Sequence, residues 1–209
     1  MQRCVAFVDL AGFTALTQAH GDGYAADVHD AFVGALGTAC DSSRDVACVK
    51  HLGDGALLAS SSAESLIAAL LAGIDEQADR ELCLRVRAGV HAGPVLEVQT
   101  VHGPDVLGHT VNVAARLCGL AAPGELLLSD AVQPAIAATR EPRELGPRRL
   151  RHVAEPVYVW ALPLEAQSSL IDPVCHMTVD ATSISASIAG RQWLFCSLAC
   201  RETFLAGHG

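Results

Sequence analysis

A length of 209 residues accommodates one domain of ordinary size and a small second one. With 51% hydrophobic and only 18% charged residues the chain is globular with a large core, which excludes a disordered chain. The net charge of −9 argues against a nucleic-acid backbone or an anionic membrane as main partner, so a phosphate-bearing ligand needs local Arg or a divalent metal.

The chain opens on an apolar run, Cys4 to Val8, that reads as a strand and ends at Asp9, before Leu10-Ala11-Gly12-Phe13-Thr14. No basic leader or cleavage site precedes it, so export is not expected and the predicted setting is cytoplasmic. A carboxylate at the end of a buried strand is costly unless paired or holding a metal; the alternative is an Asp that caps the next helix. Ala25, Val28, Phe32 and Leu36 follow at helical spacing with Asp27 and Asp30 turned outward, which predicts an amphipathic core helix.

Next come Val46 to Leu52 and Gly55 to Ala59, two apolar runs around a Gly53-Asp54-Gly55 tip, the pattern of a β-hairpin. Asp-Gly on its own is an ordinary turn signal. Lys50 sets this hairpin apart, since it is the only lysine among 14 basic residues. Keeping Lys where Arg is otherwise preferred points to a need for a compact single-point donor.

Ser61 and Glu64 read as a capping box opening a helix with Leu66, Ile67, Leu70, Leu71 and Ile74 on one face. Its apolar stretch, Leu66 to Gly73, is the longest in the chain and too short to cross a bilayer. Leu84 to His91 alternates as a strand, with Val95 to Val101 expected as its neighbour after Gly93-Pro94. An irregular piece, His102 to Pro104, leads to Asp105. After Gly108 a helix places Asn112 and Arg116, four residues apart, on one face amid Val111, Ala114, Ala115 and Cys118. A strand at Leu126 to Leu128, a short helix from Ser129 and a closing strand from Val157 to Leu162 complete this part. Between them Arg140 to Arg151 carries five arginines, either a solvated edge or the polyphosphate end of a site.

Residues 164–169 read as a linker. Beyond it Cys175 is separated by twenty residues from Cys196, and Cys200 follows one helical turn later. Five other cysteines, Cys4, Cys40, Cys48, Cys83 and Cys118, are scattered among apolar neighbours and read as reduced, buried hydrophobes. Some forty residues bury little surface, so a structural metal is a reasonable staple. Three thiolates favour soft or borderline ions, Zn²⁺ or Cu⁺, with His176, Met177 or His208 as fourth ligand.

Taken together, residues 3 to 163 resemble a class III nucleotidyl cyclase catalytic domain. The resemblance is carried by Phe7-Val8-Asp9-Leu10-Ala11-Gly12-Phe13-Thr14, Lys50-His51-Leu52-Gly53-Asp54-Gly55, Arg87-Ala88-Gly89-Val90-His91-Ala92-Gly93, and Asp105-Val106-Leu107-Gly108 with Asn112 and Arg116. It implies an α+β, ferredoxin-like fold over residues 1–163, with a central antiparallel sheet and helices over one face, working as a homodimer. It also implies that Asp9, Asp54 and the main-chain carbonyl of Leu10 hold two Mg²⁺ or Mn²⁺ ions. Asn112 would orient the ribose, and Arg116 would offset charge on the α-phosphate. Where many members carry Lys, Arg151 keeps the positive charge with a different reach to phosphate. The segment between Gly93 and Asp105 is short for the dimerisation arm of this family.

In the resemblance Lys50 and Asp105 are the base-reading pair. Adenine presents an acceptor at N1 and a donor at its 6-amino group, which an ammonium and a carboxylate complement, and guanine reverses both. The expected substrate is ATP and the expected products are 3′,5′-cyclic AMP and pyrophosphate. A catalytically silent copy serving as a nucleotide- or metal-responsive sensor is the competing reading, and the intact set Asp9, Lys50, Asp54, Asp105, Asn112 and Arg116 favours the enzyme. Residues 170–209 resemble a YHS domain, implying a small β-β-α metal-binding module on Cys175, Cys196 and Cys200. Metal there would tune the output of the cyclase.

Overall fold

β1 (Gln2–Leu10) is the strand on which the rest of the architecture hangs. Its side chains alternate: Cys4, Ala6, Val8 and Leu10 enter the largest apolar cluster, while Val5 and Phe7 enter a second cluster on the opposite face, the side to which the alternation also assigns Asp9. The computed structural model of the chain describes residues 1–78, 84–101, 103–137, 140–164, 170–188 and 190–207.

The first half follows a β-α-β-β-α-β path, the split βαβ arrangement expected from the sequence. From β1 the chain runs through α1 (Phe13–His20) and α2 (Asp22–Asp41) to the hairpin β2 (Val46–Leu52) and β3 (Gly55–Ser60), then through α3 (Ala63–Ala78) to β4 (Val86–Pro94). The four strands lie in the order β2-β3-β1-β4, each antiparallel to its neighbours. Leu16, Val28, Phe32, Leu36, Leu66 and Leu70 of the three helices pack on one face. The cap of α3 is one residue later than the sequence pattern placed it: Ser62 Oγ, not that of Ser61, accepts from the Ser65 amide at 3.1 Å, and the Ser62 hydroxyl donates to Glu64.

Two expectations are corrected in the second half. Val95 to Val101 does not pair with β4. Its strand β5 (Leu96–Thr100) forms a separate hairpin with β6 (Gly103–Leu107), so Asp105 lies on a strand. The place beside β4 goes to β7 (Glu125–Ser129), whose Leu126, Leu127 and Leu128 are buried, whereas Leu96, Glu97, Gln99 and Thr100 are exposed and unsuited to a central position. The β4–β7 pair is parallel and is reached by way of α4 (His109–Leu120), so the sheet is mixed and helices cover both of its faces. After β7 come α5 (Gln133–Ala137), the edge strand β8 (Arg143–Arg148) and β9 (Val157–Pro163), giving the seven-stranded order β2-β3-β1-β4-β7-β9-β8.

Leu164, taken from sequence as the start of the linker, is buried in the main core and donates its amide to the Gly124 carbonyl. Glu165 to Ser169, Cys83, His102 and His208 lie outside the described residues. The C-terminal part departs from β-β-α by one extra hairpin: β10 (Leu170–Ile171) with β11 (Thr178–Val179), then β12 (Ile184–Ile188) with β13 (Arg191–Phe195), then α6 (Leu198–Ala206). The first hairpin carries the loop that presents Cys175. Cys175, Met177, Phe195, Cys200 and Phe204 belong to the same apolar cluster as Leu10, Leu16 and Leu84. An isolated bridge between Leu84 and Met177 adds a backbone contact. Among the described residues no helix is long and apolar enough to cross a membrane.

Candidate active site and a second donor cluster

Asp9 is the last outward-facing residue of β1. In register it stands opposite Gly55 on one side and Arg87 on the other. The Arg87 guanidinium donates to its carboxylate at 2.8 Å. The glycine opposite is required: a Cβ on Gly55 would lie 2.7 Å from the Val8 carbonyl and 3.1 Å from Asp9 Oδ1. Burial pushes the Asp9 carboxyl above its ordinary value; Arg87 pulls against this and the neighbouring Asp54 adds to it. Leu10 is buried, and its amide donates to the Asp54 carbonyl at 3.2 Å, joining the end of β1 to the β2–β3 turn. That turn needs a left-handed residue at Gly53, with φ 63°.

Two carboxylates whose charges work against each other form a site short of positive charge, with Arg87 supplying part of it. Hard oxygen donors of this kind fit Mg²⁺ or Mn²⁺. Beside Asp9 opens a cleft of about 230 Å³, walled by Gly55, Arg87, Ala115 and Gly119 among others. Sequence reasoning gave Arg87 no role. The signal available was a charged residue on a central strand in the motif opposite Asp9.

Lys50 and Asp105 are 55 residues apart in sequence, yet Lys50 Nζ lies 2.6 Å from Asp105 Oδ2. The hydrogen bond from Lys50 holds the Asp105 carboxyl below its usual range, and the Val106 amide supports it at 2.8 Å through Oδ1. A β-bulge makes the meeting possible. Cys48 pairs with Leu58 and Lys50 with Leu57, leaving Val49 as the extra residue. Cys48 packs toward the helix-covered core, while Val49 and Leu57 belong to the cluster on the α4 side. The bulge therefore turns Lys50 to the face where β6 brings Asp105; regular alternation would have put it on the other. A cleft of about 490 Å³ borders Asp105, lined also by Val49, Ser60 and Val106 among others. Neither Asn112 nor Arg116 borders the Asp9 cleft, and both are exposed on α4. Arg151, in the turn after β8, is also exposed and donates to the His152 ring at 3.0 Å.

At the C-terminal end Cys175 Sγ lies 3.4 Å from Cys196 Sγ, which is 3.7 Å from Cys200 Sγ. Asp172, fully buried, organises the cluster: its carboxylate accepts from the Val174 and Cys196 amides at 2.8 Å each and from the Cys175 amide at 3.4 Å. Ser197 caps α6 by accepting from the Cys200 amide at 3.1 Å. The contact with Cys175, with burial, pushes the Cys196 thiol up, and burial raises that of Cys200 to about 12. Of the expected fourth ligands, His208 lies outside the described residues and the other two are engaged elsewhere. Met177 Sδ accepts from the Tyr24 hydroxyl at 3.8 Å, and the His176 ring packs against Gly12. Instead His20, the last residue of α1, places Nε2 3.3 Å from Cys196 Sγ. No local pattern could have identified it, since its neighbour is 176 residues away.

The family profile described as the adenylate and guanylate cyclase catalytic domain matches residues 2–145. The chain is 38% identical over 125 residues to an uncharacterized protein of Mycobacterium bovis, covering 59% of this chain and 31% of that protein. It is 33% identical over 159 residues to a pH-sensitive adenylate cyclase of Mycobacterium tuberculosis, covering 73% of this chain and 38% of that protein. The chain thus spans roughly a third of the length of these curated relatives. In fold it is similar to a monomeric adenylate cyclase structure from Trypanosoma brucei, with a TM-score of 0.69 at 21% identity over 86% of this chain and 95% of the other.

Proposed function

Because the chain belongs to the adenylate and guanylate cyclase catalytic domain family, we propose that it is an adenylate cyclase, forming 3′,5′-cyclic AMP and pyrophosphate from ATP at sites shared between two copies of itself. The Lys50–Asp105 contact carries the choice of base. An ammonium that donates to adenine N1 and a carboxylate that accepts from the 6-amino group satisfy both edges; guanine would meet a donor with a donor and an acceptor with an acceptor.

Asp9, Asp54 and the Leu10 carbonyl are the residues that would hold Mg²⁺ or Mn²⁺. When bound, the metal lowers the pKa of the ribose 3′-hydroxyl and neutralises triphosphate charge. The protein supplies the rest. Asn112 orients the ribose so that its 3′-oxygen lines up on the α-phosphorus. Arg116 places a guanidinium where negative charge grows on the α-phosphate as pyrophosphate leaves, and Arg151 adds charge for the outer phosphates.

The shared site is supported by what a single copy lacks. The Asp9 cleft is not lined by Asn112, Arg116, Lys50 or Asp105, and the first two project into solvent. A second copy that brings its α4 and its Lys50–Asp105 pair over the Asp9 cleft would complete it. Asp54→Ala and Arg116→Ala are each expected to lower kcat by about 10²–10³-fold or more. Mixed in equal amounts they should recover about a quarter of wild-type activity, because half the dimers are mixed and each mixed dimer holds one intact site of two. Cyclic product is measured with ATP and with GTP in the presence of Mn²⁺. No recovery on mixing rules out the shared site, and a wild-type protein that prefers GTP rules out the adenylate reading.

A further inference from the structure

The ligand atoms of His20, Cys175, Cys196 and Cys200 all lie within 4.8 Å of one another. In a tetrahedral zinc site, with metal–sulfur bonds of about 2.3 Å and a metal–nitrogen bond of about 2.0 Å, neighbouring ligand atoms stand about 3.5–3.8 Å apart. The separations here of 3.4 Å for Cys175–Cys196, 3.7 Å for Cys196–Cys200 and 3.3 Å for His20–Cys196 are close to the edges of such a tetrahedron. We propose that His20 of α1 completes a Cys₃His site for one thiophilic divalent ion of the zinc class, so that the ion bridges the sheet-bearing part of the chain and its C-terminal hairpins instead of lying wholly within the latter.

The surroundings are those of a built site. Cys175 and Cys200 are fully buried, Asp172 fixes the loops bearing Cys175 and Cys196, and the Tyr24 ring stacks on His20 with centroids 4.9 Å apart. Outer-shell support of this sort orients ligands before the ion arrives. Binding balances as one dication exchanged for the protons of three thiols, which pass to solvent.

The position of His20 gives the bridge its consequence. α1 begins at Phe13, immediately after the turn that follows Asp9, and Gly12 at its start is in close contact with the C-terminal part. A Cβ on Gly12 would lie 2.6 Å from the His176 ring and 2.9 Å from the Cys175 carbonyl, and its φ of 83° already excludes most side chains. Contact at Gly12 and the ion at His20 would hold both ends of α1. Loading would stiffen the segment leading out of Asp9, a physical route from C-terminal metal to the candidate active site.

The test uses the reduced, metal-free 209-residue chain with Co²⁺ as spectroscopic probe and Zn²⁺ as competitor. One equivalent should bind with a tetrahedral three-sulfur, one-nitrogen spectrum, release about three protons and slow amide exchange in α1 as well as around 175–200. His20→Ala should lose the nitrogen signature, weaken zinc by about 100-fold or more, and lose the α1 protection while keeping that of the C-terminal part. His176→Ala should bind as wild type does. His20→Gln, melted without metal, reports whether the substitution harms the fold itself, and wild-type α1 protection by zinc is read without any variant. Wild-type protein that takes up no zinc, or His20→Ala protein that binds it with unchanged affinity and spectrum, overturns the proposal. None of these readouts involves nucleotide, so a failure of the cyclase reading is seen separately.

Discussion

Lys50 shows what residue type conveys and what it leaves out. Its rarity in an Arg-rich chain was visible in the sequence, as was the hairpin around Asp54. The bulge at Val49 that turns its side chain toward Asp105 was not, because an extra residue in a ladder is defined by the partner strand and leaves no local signature. The same holds for Arg87, legible as a charge on a strand but not as the counter-charge of Asp9, 78 residues away. A prediction at this scale follows from the polarity of the proposed base-reading pair. Exchanging the charges, Lys50→Glu with Asp105→Lys, preserves an ion pair between β2 and β6 while presenting an acceptor where adenine N1 needs a donor. The ratio of kcat/KM for ATP over GTP should fall by about 100-fold or more, since a mismatched site leaves buried polar groups unpaired. Steady-state assays with both nucleotides check it, and an unchanged ratio removes Lys50 and Asp105 from base recognition.

Among the elements, α4 is the one whose placement matters most, since it carries Asn112 and Arg116. Its existence was clear from the apolar spacing after Gly108; its position on the face opposite the other helices was not, because periodicity shows that a helix has a buried side without saying which sheet face receives it. The seat is Gly89 on β4. A Cβ there would come within 2.1 Å of the Cys118 nitrogen and 2.6 Å of the Ala114 carbonyl oxygen, both helix backbone, so nothing flexible can give way. Gly89 is not in the left-handed region, and close approach alone explains it. Gly89→Ala should push α4 off the sheet, destabilise the fold by about 1–3 kcal/mol, as overpacked sites do, and, on the proposed roles of Asn112 and Arg116 at the reacting phosphate, lower kcat more than affinity for ATP. Thermal melting and kinetics read the two effects separately. The strand expected from Val95 to Val101 was misplaced for a related reason. Its place after Gly93-Pro94 suggested a strand beside β4, and the polar side chains of β5 were the clue that it could not be central.

At the scale of the whole molecule, the sequence divides the chain into two parts where the structure gives them one shared core. Cys175, Met177 and Phe195 pack in the cluster that contains Leu10, Leu16 and Leu84, a union that a linear reading of motifs and linkers cannot anticipate. The same limit applies to self-association, whose trace is apolar surface left exposed. The β5–β6 hairpin stands apart from the main sheet and exposes Leu96 at 63%, Val101 at 96% and Leu107 at 45%, while carrying Asp105 between them. Exposed apolar side chains at both ends of a hairpin that also bears the proposed base-reading Asp105 would suit contact with a second copy at the proposed shared site. Because Leu96 and Val101 contribute so little to the core, replacing both with Asp should leave the melting temperature of the single chain nearly unchanged. If the proposed shared site holds, the same change should weaken dimerisation and make activity per chain fall steeply on dilution, since separated half-sites would lose turnover. Sedimentation velocity and rates measured over a dilution series test the two limbs. A double variant that stays dimeric and keeps its specific activity at low concentration would place the interface away from this hairpin and leave Asp105 to meet its nucleotide without help from the ribbon's apolar edge.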